Sequence, residues 1–197
     1  MTTTQQNKYE YRTADLAAAA DADTALTVTG YAAVFDAPTT VYHDDETGID
    51  YKEVIDKGAF DGCDFSKCVF RYNHDDSYLA LATVHNNTLR LTVDERGLRV
   101  DAELADTTAG RDIFALIKRG DICKMSYAYA VSNAYFDEPT HTRHITAISA
   151  VIDVSAVDLP AYDATSLEIV KRSLKELHEE QERRAREKAR ISILSLY

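Results

Sequence analysis

A serine, a histidine and an acid are enough to build a nucleophile, and each stands at one telling place in this sequence. Ser126 lies in the tyrosine-rich run "KMSYAYAVS", His74 in "YNHDDSYLALATV" and Asp153 in "AVIDVSAVDLPAY". A serine hydroxyl attacks a carbonyl only when a base takes its proton and donors hold the resulting oxyanion. Imidazole, with an ordinary pKa of about 6.5, is the side chain best suited to that proton transfer near neutrality. Asp153 sits inside a strongly apolar strand, where a carboxylate is costly unless something answers it; a histidine ring N–H or a backbone turn would serve. Asp158 is a rival acid, but it lies nearer Pro160 and reads as exposed. Each residue also has an ordinary reading. Most serines in strands are structural, and a histidine beside Asp75 and Asp76 can be a solvated turn. No Gly-x-Ser-x-Gly elbow surrounds Ser126, whose neighbours are Met125 and Tyr127.

Other chemistries find less support. Cys63, Cys68 and Cys123 are odd in number and widely spaced, which fits free thiols in a reducing compartment rather than a disulfide framework. Cys63 and Cys68 flank four residues with no second pair, so no zinc site is expected. His141 and His144 are three apart, a helical metal spacing, but their segment reads as a turn entering a strand; His43 and His85 fall in polar loops. No cofactor is expected. A net charge of -11 argues against nucleic acid as the main partner. No apolar run approaches the roughly 20 residues of a membrane span, and the start lacks a signal-peptide pattern. These features read as a soluble, intracellular type of protein.

The elements around the candidates are mostly β. Residues 1–24 are polar and Ala/Asp/Thr-rich and read as a flexible arm, and a folded domain is expected over 25–165. "ALTVTGYAAVF" is strand-like, "DAPTTVYHDDETGID" reads as a polar loop, and "YKEVIDKGAF" as a short strand entering a turn at Gly58. In "TLRLTVDERGLRVDAEL", period-two alternation on both sides of a Gly-ended turn predicts a hairpin. "DTTAGRDIFALIKRGD" predicts a helix capped by Thr107 or Thr108 and by Gly120, with Ile113, Leu116 and Ile117 as its apolar stripe. Two long strands follow, "ICKMSYAYAVSNAYF" and "RHITAISAVIDVSAVDL". Alternation in the first puts Ser126, Ala128 and Ala130 on one face, where small side chains would leave room for a substrate's backbone.

Residues 166–197 are of another character. Leu167, Val170, Leu174 and Leu177 keep a heptad-like spacing, and beyond Gln181 the pattern is polar all round. A helix polar on every face gains little by packing on its own domain and suits a partner. Residues 171–190 hold eight Lys/Arg against five Glu, a net of +3, while 1–170 carry -14. The expected class is thus α+β, mainly β with flanking helices, plus a C-terminal helical extension that is either solvated or reserved for a partner.

Taken in order, "GYAAVFD", "YKEVIDKGAF", "NHD", "LRLTVDERGLRVDAEL", "AGRDIFALIKRGDICKMSYAY" and "VIDVSAVDLPAYDAT" resemble the prohead proteases of tailed phages, over Gly30 to Thr165. These capsid-maturation serine proteases are related in fold to herpesvirus assemblin. The resemblance implies a β-barrel-like core and a Ser–His–acid site, with Ser126 as nucleophile, His74 as general base and Asp153 orienting His74. Asp153 stands where the family usually has Glu, and Ala128 where it usually has Gly. "LALAT" replaces a segment with a Leu-Gly pair. The same resemblance implies proteolysis of scaffolding protein, or of a scaffold-like segment of the major capsid protein, and of the protease itself. The place would be the assembling prohead in the host cytoplasm, and the relation to assemblin suggests a homodimer. The alternative is a catalytically inactive capsid-assembly module on the same fold.

Overall fold

The computed structural model describes residues 10–18, 26–77, 79–158 and 183, 184, 186 and 187. Along them run β1 (Glu10–Ala18), β2 (Thr27–Val34), β3 (Thr39–Asp44), β4 (Ile49–Ile55), β5 (Val69–Tyr72) and β6 (Ala82–Thr83). Then come β7 (Leu89–Val93), β8 (Gly97–Glu103), α1 (Thr108–Arg119), β9 (Lys124–Asp137) and β10 (Thr142–Val157). The strands form one sheet in the order β3-β4-β10-β9-β1-β2-β8-β7, and β5 pairs with β10 and β6.

The long strands β9 and β10 pair antiparallel over nearly their whole length, with several register shifts along the way. β4 joins the first part of β10 in parallel, and β5 joins its last part in parallel. Between Met125 and Ala130 every residue of β9 is buried, small and aromatic faces alike. Tyr127 and Tyr129, two apart and so on one face, stack at 4.8 Å between centroids. One core cluster takes these tyrosines together with Phe70 of β5, Leu98 and Val100 of β8, and Ile113, Phe114 and Ile117 of α1.

The expected hairpin is β7–β8, with Asp94–Gly97 at its turn; Asp94 Oδ1 accepts the N–H groups of Arg96 and Gly97. A Cβ on Gly97 would fall 2.0 Å from the Ala33 carbonyl oxygen, so only glycine lets β2 and β8 approach there. The expected helix is also present. Thr107 Oγ1 accepts the Gly110 N–H at 3.1 Å, and Gly120 closes the end at φ 88.

Four expectations need correction. The sheet order ends at β3 and β7, which do not pair with each other, so the expected barrel does not close. Thr39, Thr40 and His43 of β3 and Arg90, Thr92 and Val93 of β7 are exposed along these two edges. Of the expected flanking helices, the body has α1 alone among the described residues. The "polar loop" after Pro38 is a hairpin, β3–β4, in which Tyr42 stacks on Tyr51 at 5.7 Å; His43 therefore lies in a strand. The expected helical extension falls almost wholly outside the described residues, where 183, 184, 186 and 187 are helical.

The expected flexible arm departs most. Glu10–Ala18 forms β1, inserted between β9 and β2, while residues 1–9 and 19–25 lie outside the described residues. Its charges are what anchor it. Arg12 gives two 2.6 Å hydrogen bonds to Glu53 of β4, and Arg143 of β10 binds Glu10 at 2.5 and 2.9 Å and Glu53 at 3.0 Å. The Tyr129 hydroxyl donates to Glu53 as well, at 2.9 Å. Two guanidiniums and two carboxylates thus neutralise each other beneath the sheet.

Glu53, only 3% exposed, is the hub of this cluster. Burial by itself would raise its pKa, but Arg12 and Arg143 outweigh burial and hold it below the usual carboxylate range. A depressed pKa gives stability that is present above the unfolded value of about 4.3 and lost as pH falls through the folded value. Glu53→Ala leaves two buried cations uncompensated, and we expect it to cost about 3–5 kcal/mol. Urea unfolding at neutral pH checks that loss. The same titration repeated toward about pH 3 should show the wild type losing stability more steeply than the variant.

Candidate active site

Register assembles the site. Asp153–Ala156 of β10 lie opposite Val69–Tyr72 of β5 on one side and Ala128–Met125 of β9 on the other. Ser126, Ser155 and Arg71 therefore form one row across three strands, and Ala128, Asp153 and Val69 form the next. Directly opposed residues, and residues two apart along a strand, share a face. Ser126, Asp153, Ser155 and Arg71 consequently project from the same side of the sheet.

His74 reaches that side by a turn. Past Tyr72 the chain passes through Asn73 at φ 51 and His74 at φ 56, two successive left-handed residues that are not glycine. Such a conformation costs roughly 1–2 kcal/mol per residue, so the end of β10 must hold it. Asn73 N–H donates to the Ala156 carbonyl at 2.9 Å, Asp158 N–H to Asn73 Oδ1 at 3.3 Å, and His74 N–H to Ser155 Oγ at 3.2 Å. The ring then lies with Nδ1 2.8 Å from Asp153 Oδ1. A carboxylate is acceptor-only, so the neutral ring carries its proton on Nδ1 and its lone pair on the buried Nε2.

Asp153 is 8% exposed and well answered. Besides His74, Ser155 Oγ donates to Oδ1 at 2.7 Å, and Arg71 Nε lies 3.4 Å from Oδ2. The sequence asked for a histidine ring N–H or a backbone turn to meet this acid, and the structure supplies the histidine, with Ser155 and Arg71 beside it. Asp158, the rival, accepts instead from the Tyr72 hydroxyl at 3.1 Å and is exposed.

Ser126 has no exposed surface, and its Oγ makes no hydrogen bond to any described residue. Leaving a buried hydroxyl unsatisfied costs about 1–3 kcal/mol, which packing alone does not justify. The structure thus joins His74 and Asp153 directly and puts Ser126 one strand beyond the acid, without a Ser126–His74 hydrogen bond. Catalytic hydrogen bonds in substrate-free proteins are often open in this way and tighten on binding. Ala128 and Ser155 are the small neighbours of Ser126, but the open room expected beside it is not there. The Gly-to-Ala replacement brings no strain, because neither Ala128 nor any residue of Leu79–Thr83 has a positive φ.

Ser155 and Arg71 are the residues sequence reasoning missed. Ser155 had a faint signal, two positions past Asp153 and so on its face; Arg71 had none, because only the β5–β10 pairing brings it near. The other histidines go elsewhere. His144 Nδ1 meets Asp56 at 2.8 Å and stacks on Tyr135, while His141 lies against Tyr51. The ring of exposed His43 pairs with Asp50 at 2.6 Å, a hydrogen bond that raises its pKa. Among the described residues no cluster of three or more His, Cys, Asp or Glu is arranged for a metal.

Burial disfavours the thiolate, and with it a nucleophilic role, at Cys63 and Cys68. Cys68 is buried, and desolvation followed by the nearby Asp153 charge pushes its thiol far above the ordinary value. Burial pushes Cys63 up to about 11. Cys123 is exposed. Iodoacetamide at neutral pH should therefore modify Cys123 in the folded protein, and Cys63 and Cys68 only after denaturation. Peptide mass mapping of the two samples tests this, and early labelling of Cys68 would contradict the burial described.

The family model of the caudovirus prohead serine proteases matches residues 8–180. The chain belongs to that family, and with it to the serine peptidases of phage capsid maturation, which act with capsid or scaffold proteins in the assembling prohead. No curated protein and no solved structure matches it. No helix among the described residues is long and apolar enough to cross a membrane.

Proposed function

We propose that the chain is an endopeptidase in which Ser126 attacks the scissile carbonyl, His74 Nε2 takes its proton, and Asp153 orients the ring and stabilises the imidazolium. The observation that carries this reading is the 2.8 Å His74–Asp153 contact on the face that also bears the unsatisfied hydroxyl of Ser126. In the forward step, bond formation by Oγ moves the hydroxyl proton to Nε2. On collapse of the tetrahedral intermediate the same proton passes to the leaving amine, and water repeats the sequence to release the acyl group.

Its substrates, on this reading, are the scaffolding protein or the scaffold-like segment of the major capsid protein, and the protease itself. The mixed-charge tail, 166–197, serves as the address that carries the enzyme among scaffold helices. A buried Ser126 further requires that its cover shift when an extended peptide enters.

Co-expression with the cognate capsid protein tests the chemistry, with wild type beside Ser126→Ala and intact mass as readout. Shortened capsid protein and shortened protease with the wild type alone are expected. Identical masses in both, with proheads still forming, would establish the inactive assembly module instead. In the same system, removing residues 168–197 is expected to lower the amount of protease recovered in purified proheads, read by quantitative mass spectrometry. Unchanged recovery would refute the role of the tail.

A further inference from the structure

Ser155 lies at the centre of a closed ring of hydrogen bonds. Its Oγ accepts the His74 backbone N–H at 3.2 Å and donates to Asp153 Oδ1 at 2.7 Å; that same oxygen receives His74 Nδ1 at 2.8 Å. A serine has one proton to give, and here the carboxylate takes it, so toward the backbone N–H the oxygen can only accept. Donation therefore runs along two branches from His74 that converge on the carboxylate. Backbone N–H leads to hydroxyl, hydroxyl to carboxylate, and Nδ1–H to carboxylate.

We infer that Ser155 is a positioning residue for the proposed triad: it fixes the His74 turn and the Asp153 rotamer together, and so aims Nε2 toward the row of Ser126. Three observations converge on it. Ser155 has no exposed surface, so its two hydrogen bonds have no water competitor. His74 sits at φ 56, a backbone state that a histidine seldom keeps without a partner for its N–H. And Ser155 is the Cα partner of both Ser126 and Arg71, so it occupies the strand position between nucleophile and ion pair. A carboxylate joined to histidine by one bond can still rotate about its own side-chain torsions. The second bond from Ser155, two residues on along the same strand, stops that rotation.

This rests on the catalytic reading above, and two readouts separate their failures. The first needs no catalysis: hydrogen exchange and NMR of the intact wild type. The His74 backbone amide is expected to be protected, and its Nδ1–H proton to be visible and slowly exchanging. Free exchange of that amide in the wild type overturns the inference without any variant. In Ser155→Ala, with circular dichroism unchanged, the Nδ1–H resonance is expected to broaden or vanish; its persistence unchanged also overturns it.

The second readout is the rate at which a fluorophosphonate labels Ser126. Displacement of the ring by about 1 Å can cost roughly 10²-fold, so Ser155→Ala is expected to label 10- to 100-fold more slowly. A residue that acts partly through the acid loses that part of its effect once the acid is gone. In an Asp153→Asn background, Ser155→Ala is therefore expected to add a smaller factor than it does in the wild type, whereas a merely structural role gives additive losses and sinks the idea. If the wild type is not labelled while the His74 resonances behave as expected, the nucleophile assignment fails and the ring stands.

Discussion

The pairing of β9 with β10 is the constraint on which everything else depends. These two strands occupy the centre of the sheet order, and each passes a partner to the other side: β1 on β9, β4 and β5 on β10. Because the last part of β10 is flanked by β9 and β5, three remote segments meet there in fixed register. A slip of one residue in either pairing would turn Asp153 or Ser126 to the opposite face, since side chains alternate with period two. The burial of both faces of β9 makes such a slip expensive. Tyr127 and Tyr129 would then exchange places with Ser126 and Ala128.

Much of this was legible in the sequence where a local rule was strong. The β7–β8 hairpin and α1 announced themselves through alternation, a Gly-ended turn and caps within a few residues of one another. Asp153 was legible for a different reason, since an acid in an apolar strand must be met by something. Strand β1 was not, because "EYRTADLAA" has the composition of a solvated arm; what makes it a strand is a set of ion pairs to Glu53 and Arg143, 41 and 133 residues away. β3 was hidden by being an edge strand, whose polar, exposed residues look like a loop. Barrel closure was an expectation of resemblance rather than of residues, and the sheet stays open because β3 and β7 do not pair.

The site shows the same division. His74 and Ser126 were singled out because the segments around them follow a family order, and Asp153 also because an acid is rare in an apolar strand. Ser155 looked like any strand serine, and Arg71 like any charged strand end, until register put them beside the acid. Strain was likewise invisible beforehand. Asn and His tolerate the left-handed region better than most residues, but two in succession at Asn73 and His74 could not be read from propensity, and hydrogen bonds to Ser155, Ala156 and Asp158 help to hold that turn.

The parallel pairing of β5 with β10 has a consequence in time. His74 and Asp153 are 79 residues apart, and nothing between them in the chain holds them together except completion of the sheet. Closing a loop of that length is slow relative to forming hairpins or a helix. During synthesis, β10 is also the last strand of the body to emerge. A nascent or half-folded chain can therefore possess its hairpins and its helix while lacking the acid–imidazole contact altogether. On the proposed reading of the site, competence would arrive only with β10, leaving an interval in which the protein is present but inert.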